Sequence, residues 1–184
     1  MIYTPLIKKA MLIAEEAHKN QFDKGGYPYV FHPYAVAEIL SNTDRFKTVS
    51  AEAQEHLICT ALLHDVLEDA NDATFAFYAF GIDQFPQIVI DALHLLTREP
   101  GDTYENYIGK IVDFDDKLSA ETHRIACLVK QADLIHNLTK SRLETEIPKE
   151  NKLRYHQAIF QILGALGYYG SYLDTYQMTI PMDK

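Results

Sequence analysis

The chain has 184 residues, 47% of them hydrophobic, which suffices for one compact domain whose core needs neither a disulfide nor a partner chain to be stable. Its formal net charge of −9 comes without a basic stripe, so nucleic-acid binding driven by phosphate neutralisation is not expected, whereas a small anionic substrate stays open if a metal and a few lysines supply local positive charge. No apolar run reaches the roughly 18 residues of a membrane span, the opening MIYTPLIKKAMLIAEEAH lacks the pattern of a secretion signal, and Cys59 and Cys127 sit in apolar helical patterns without a CxxC, so a cytoplasmic location is expected.

Apolar residues recur at spacings of three and four nearly throughout, and no stretch alternates as a strand does, which predicts an all-α helical bundle forming a single domain over residues 1–184. A first amphipathic helix runs from Pro5 to about Asn20, with Leu6, Ala10, Ile13, Ala14 and Ala17 on one face. The loop QFDKGGYPY ends it. A second helix begins after His32, because Pro33 suits a first helical position. A third runs from Ser50, its N-cap, through Asp69. Shorter helices cover Thr74 to Phe80, Asp83 to Thr97 and Thr103 to Val112, separated by Gly81 and the REPGD turn. A long helix extends from Ser119 to about Arg142, and Pro148 opens a last one toward Tyr176, loosened near Gly164, Gly167 and Gly170. The tyrosines at 168, 169 and 172 read as packing residues.

The chemistry concentrates in ALLHDVLEDA. A helix turns about 100° per residue, which puts Glu68 near His64 and Asp69 near Asp65 on one polar edge beside an apolar face. Burying several carboxylates together without positive charge costs several kcal/mol each or forces protonation, and a divalent cation removes that difficulty. One helical turn cannot enclose an ion, so ligands must come from elsewhere. His32 in YVFHPYAVAEIL and Asp133 in LVKQADLIHNL, where Asp133 and Asn137 form an i+4 polar pair, are the candidates. Two imidazoles and two carboxylates make a mixed, rather hard donor set that leaves positions open for water. Mn²⁺ is the preferred ion, with Zn²⁺, Fe²⁺, Co²⁺ and Ni²⁺ as alternatives. His18, His56, His94, His123, His136 and His156 lack a comparable arrangement and read as surface or core residues.

His32, the His64-Asp65 pair and Asp133 resemble the H…HD…D metal signature of the HD superfamily. More narrowly, GGYPYVFHPYAVAEIL, ALLHDVLEDA, LLTREPGDTYENYI and VKQADLIHNL, spanning Gly25 to Leu138, are similar to the hydrolase domain of RelA/SpoT-type alarmone enzymes. That resemblance implies Mn²⁺-dependent removal of the 3′-pyrophosphate from guanosine tetra- or pentaphosphate. It implies that Glu68 and Asp69 handle the attacking water and the proton transfers, and that Lys24 and Asn137 contact substrate. Lys130 and Arg98 are further candidates to neutralise its phosphates. With no room for a synthetase within these residues, a stand-alone hydrolase is expected. The chain departs from the family's pattern in having Asp23-Lys24 where Arg-Lys is usual, Ile108 where arginine is common, and no YAPLANRLG-like run in its last helix. Asp23 and Ile108 keep open a second reading, an HD phosphohydrolase acting on another nucleotide or a phosphorylated dinucleotide cofactor; a third is a non-catalytic nucleotide-binding module, against which every expected ligand and both acids are present.

Overall fold

The computed structural model describes residues 3–69, 81–115, 117–139 and 147–167. The helices are α1 (Pro5–Ala17), α2 (Phe31–Ser41), α3 (Asp44–Thr48), α4 (Ala51–Leu63), α5 (Val66–Asp69), α6 (Gln87–Leu96), α7 (Tyr104–Val112), α8 (Ala120–Leu138) and α9 (Lys149–Ala165), with a short 3₁₀ turn at Ile82–Gln84. Among the described residues the only strand-like pairing is an isolated bridge between Phe22 and Pro28. The fold is all-α, as the periodicity predicts.

Local chemistry fixes the helix starts. Thr4, Thr43, Ser50, Thr103 and Ser119 each accept the backbone N–H three residues on, satisfying one of the donors that a helix leaves open at its N-terminus. Several expected boundaries move. The first helix stops at Ala17, and Asn20 takes a left-handed φ of 65° that no helix continues through. The second starts at Phe31, two residues early, with Pro33 inside its first turn, where a missing N–H costs nothing. The long third helix divides into α4 and α5 at a turn formed by His64 and Asp65. α3 was not expected. The long helix expected to reach about Arg142 ends at Leu138, where Thr139 turns to extended backbone, and the last ends at Ala165; the helix expected over Thr74 to Phe80 and the tyrosines at 168, 169 and 172 lie outside the described residues.

The bundle is organised around α4 and α8. Every residue from Leu57 to Leu63 is buried, so the C-terminal half of α4 is enclosed on all sides and sits in the interior, while its first turns reach the surface. It packs on α1, α2, α6 and α8, while α8 also touches α2, α6, α7 and α9. One continuous core runs from Ile7 of α1 to Leu163 of α9. Both cysteines are free and buried within it, and burial pushes each thiol up to about 12, which leaves neither as a nucleophile.

Candidate metal centre

His32 comes from the first turn of α2, His64 and Asp65 from the turn after α4, and Asp133 from the middle of α8. His32, His64 and Asp133 are 3%, 2% and 3% exposed and Asp65 is half-buried beside them, so groups from distant parts of the chain meet at the inner edge of the bundle. His32 Nε2 lies 3.1 Å from Asp133 Oδ1 and 3.3 Å from Asp65 Oδ2. His64 Nε2 lies 3.2 Å from Asp65 Oδ2 and 3.9 Å from Asp133 Oδ1. One donor atom each from His32, His64 and Asp65 falls within 4.8 Å of the others, a spacing that can hold a metal ion.

The tautomers suit a cation. His64 Nδ1 lies 2.8 Å from the Ala61 carbonyl oxygen, which can only accept, so Nδ1 carries a proton and Nε2 is the nitrogen that could ligate an ion. That Nε2 is buried without a well-aligned hydrogen bond, despite the carboxylate beside it. Burial pulls the His64 pKa down, but the negative charges of Asp65 and Asp133 override it and push the group up to about 9. Burial works against the Asp65 charge too, yet His64 and His32 hold its carboxyl well below the usual range; Lys130 and the same histidines do so for Asp133. An orphaned imidazole nitrogen facing two ionised carboxylates is a donor set that a divalent cation fits.

Around these groups stands a ring of supporting contacts. Asp133 accepts from Asn137 Nδ2 at 2.6 Å and from Lys130 Nζ at 2.8 Å, and Lys130 also lies over the Tyr107 ring at 5.1 Å. The Tyr29 hydroxyl donates to Asp65 Oδ2 at 2.7 Å. His32 Nδ1 meets His136 Nδ1 at 2.7 Å, so one ring donates to the other. Sequence reasoning missed Tyr29 and set His136 aside as a surface or core residue. The signal for His136 was its place three residues after Asp133, on the same face of α8.

The remaining candidates are more dispersed. Glu68 is exposed, its carboxylate 3.5 Å from the backbone N–H of Arg98. Asp69 ends α5, and its side chain is outside the described residues. Arg98 turns its guanidinium onto the Asp102 carbonyl through Nε, at 3.1 Å, and Nη2, closing the REPGD turn. Lys24 is exposed on the 21–29 loop. The neighbouring Asp23 carboxylate is occupied by that loop, accepting from the Gly25 and Tyr27 N–H groups at 2.9 and 3.0 Å. Ile108 is 1% exposed in the core.

Comparisons with known proteins bear on the family and the fold. No family model matches the chain. It is 31% identical over 142 residues, 69% of its length, to a guanosine-3′,5′-bis(diphosphate) 3′-pyrophosphohydrolase of Haemophilus influenzae, and 32% identical over 140 residues, 72% of its length, to the protein of the same name in Borreliella burgdorferi. It covers 17% and 18% of those two proteins, and 19% of a probable GTP pyrophosphokinase of Mycobacterium leprae to which it is 25% identical over 168 residues, so it spans under a fifth of these relatives. The chain is a relative of the RelA/SpoT-type hydrolase domain. A solved chain of a metazoan ortholog of SpoT that hydrolyzes ppGpp superposes on it with a TM-score of 0.64, covering 97% of this chain and 96% of that one at 22% identity. This RelA/SpoT-type fold accounts for the whole bundle. Among the described residues no helix is long and apolar enough to cross a membrane.

Proposed function

We propose that the chain acts as a single-domain, cytoplasmic, metal-dependent phosphohydrolase that removes the 3′-pyrophosphate of guanosine tetra- or pentaphosphate, with Mn²⁺ as its ion. The observation that carries this reading is the convergence of His32, His64, Asp65 and Asp133 in a buried cluster where His64 Nε2 has no aligned partner. The names of the Haemophilus and Borreliella relatives support the substrate.

His32 and His64 would hold the ion through Nε2, and Asp65 and Asp133 through their carboxylates. A divalent ion there supplies Lewis-acid chemistry, making water acidic enough to attack phosphorus near neutral pH and drawing charge from a phosphoryl oxygen. Tyr29, Asn137 and Lys130 keep the two carboxylates in place. In the hydrolysis an oxygen–phosphorus bond forms from water and the bond from phosphorus to the 3′-oxygen breaks. Glu68 and Asp69 divide the proton work: one carboxylate takes the proton of the water, and one carboxyl returns a proton to the leaving 3′-oxygen. Lys24 and Asn137 contact the substrate.

A second reading, another nucleotide or a phosphorylated dinucleotide cofactor as substrate, draws on Asp23 and Ile108. The first is taken up by its own turn and the second is buried, so neither position offers a cation to a guanosine polyphosphate. A nucleotide panel incubated with Mn²⁺-loaded protein distinguishes the two. The first reading expects pyrophosphate from guanosine tetraphosphate and loss of that turnover, with metal retained, in Glu68→Gln; no release from the wild type would refute it. A wild type that binds nucleotides and converts none would favour a non-catalytic module.

A further inference from the structure

Consecutive residues in the last turn of α8 reach toward two different members of the cluster. Asn137 Nδ2 turns back along its own helix to Asp133 Oδ1 at 2.6 Å, whereas His136 crosses to α2, where its Nδ1 lies 2.7 Å from His32 Nδ1. The second nitrogen of a ligating histidine ordinarily meets a carboxylate, a carbonyl or water. Here it meets another imidazole. The two ring centres are 5.0 Å apart and the planes lie 18° from parallel. Rings whose facing nitrogens are only 2.7 Å apart reach that separation of centres by meeting end on, so the nitrogens point at each other nearly in one plane. That is the geometry of an N–H···N hydrogen bond rather than of a face-to-face stack, and it has room for one proton.

His32 decides which ring owns that proton. Its Nε2 faces Asp133 Oδ1 at 3.1 Å and Asp65 Oδ2 at 3.3 Å, the position from which it would hold an ion. A neutral imidazole that gives the Nε2 lone pair to a cation carries its proton on Nδ1. The nitrogen opposite must then accept. His64 has the same need and meets it with the Ala61 carbonyl, an oxygen that only accepts. His32 meets it with a side chain that accepts in just one of its two neutral tautomers. Tyr29 and His64 turn their rings edgewise to the His32 ring, at 5.5 and 5.1 Å between centres and 66° and 67° between planes. Such packing sets the plane of the His32 ring and leaves its tautomer to the hydrogen bond.

We infer that His136 is a positioning residue of the metal centre: its Nδ1 lone pair accepts the His32 Nδ1–H, its own proton sits on Nε2, and the bare Nε2 of His32 is thereby presented to the ion. The inference rests on the metal-dependent reading of the cluster. It gives α8 two parts in the centre, a ligand of its own in Asp133 and the support of the ligand that α2 brings.

Calorimetric titration of the wild type, His136→Asn and His136→Leu with Mn²⁺ tests it. Asparagine and leucine are close in size and shape, but only asparagine keeps an acceptor near the place of Nδ1. His136→Leu should lose about 10- to 100-fold in Mn²⁺ affinity, the usual loss when the partner of a ligating histidine is removed, and His136→Asn should recover most of it. A residue that merely fills space would give the two variants equal affinity or favour leucine; either result overturns the inference, as does wild-type affinity in His136→Leu. A second measurement needs no substitution and serves if the variants fail to fold. With diamagnetic Zn²⁺ bound to the wild type, long-range proton–nitrogen spectra should show His136 Nδ1 bare and His32 Nδ1 protonated, and a proton on His136 Nδ1 overturns the inference. A wild type that takes up neither ion refutes the metal centre and this inference with it, whereas tight binding indifferent to His136 refutes the inference alone. Affinity that depends on the acceptor at His136, in a wild type unable to hydrolyse guanosine tetraphosphate, keeps the inference and discards the substrate.

Discussion

At the scale of single residues the site turns on His64. Its Nδ1 proton is fixed by the Ala61 carbonyl, and its Nε2 is held between two carboxylates that push its pKa up to about 9. A cation can occupy that nitrogen only by displacing the proton that competes for it. Apparent Mn²⁺ affinity should therefore rise about tenfold per pH unit from pH 6.5 toward 9 and flatten above, with a proton released on binding. Calorimetry in buffers of different ionisation enthalpy would read both effects, and a pH-independent affinity would contradict the assignment of His64 as a ligand. The same shifts govern the metal-free fold. A histidine whose folded pKa is raised contributes stability that is complete below its unfolded value of about 6.5 and is lost as pH climbs through about 9. Asp65 and Asp133 are lowered, so their contribution is present above about 3.8 and disappears as pH falls below it. The cluster thus stabilises the chelated protein most between those two limits, and Tm measured in a chelator should decline from pH 6.5 to 9.

Among the elements, α8 carries the greatest share of the site, since Lys130, Asp133, His136 and Asn137 all project from it. Its first turn is closed by Ser119, which accepts the Thr122 N–H at 3.0 Å. Ser119→Ala is expected to cost about 1 kcal/mol in urea denaturation. It should leave Mn²⁺ affinity unchanged, because the cap lies more than three turns from Asp133; an altered affinity would mean that the whole helix shifts. The cap at Ser50 and the helix starts at Thr103 and Ser119 were legible because a short polar side chain before an apolar run has one local use. The division between α4 and α5 was not. His64 keeps φ −59° and ψ −31°, inside the helical region, and the apolar period runs across the turn unbroken, so nothing in ALLHDVLED marks it. Periodicity also says which face of α8 is buried but not which distant side chain meets it. That is why Asp133 could be picked out through a motif, whereas the pairing of His136 with His32 and of Tyr29 with Asp65 depended on tertiary contact.

For the molecule as a whole, the cluster joins segments that no short-range interaction connects. α2, the turn between α4 and α5, and α8 converge on it, and α4 and α8 are also the two helices at the centre of the core. A ligand bound by the folded chain alone stabilises it by mass action, in proportion to the logarithm of its free concentration over Kd. With Mn²⁺ at 100 times its Kd, the free energy of unfolding should increase by about 2.7 kcal/mol over the chelated protein. The increment tests the joint character of the site, because it requires the three segments to be in register at once. Asp133→Asn keeps the shape of the side chain but removes its charge and one of the two oxygens that accept from Lys130 and Asn137, so the chelated variant should be less stable than the wild type while the Mn²⁺ increment largely vanishes. If Asp133→Asn gained as much from Mn²⁺ as the wild type does, the ion would be binding elsewhere, and the acidic surface implied by a net charge of −9 would be the place to look.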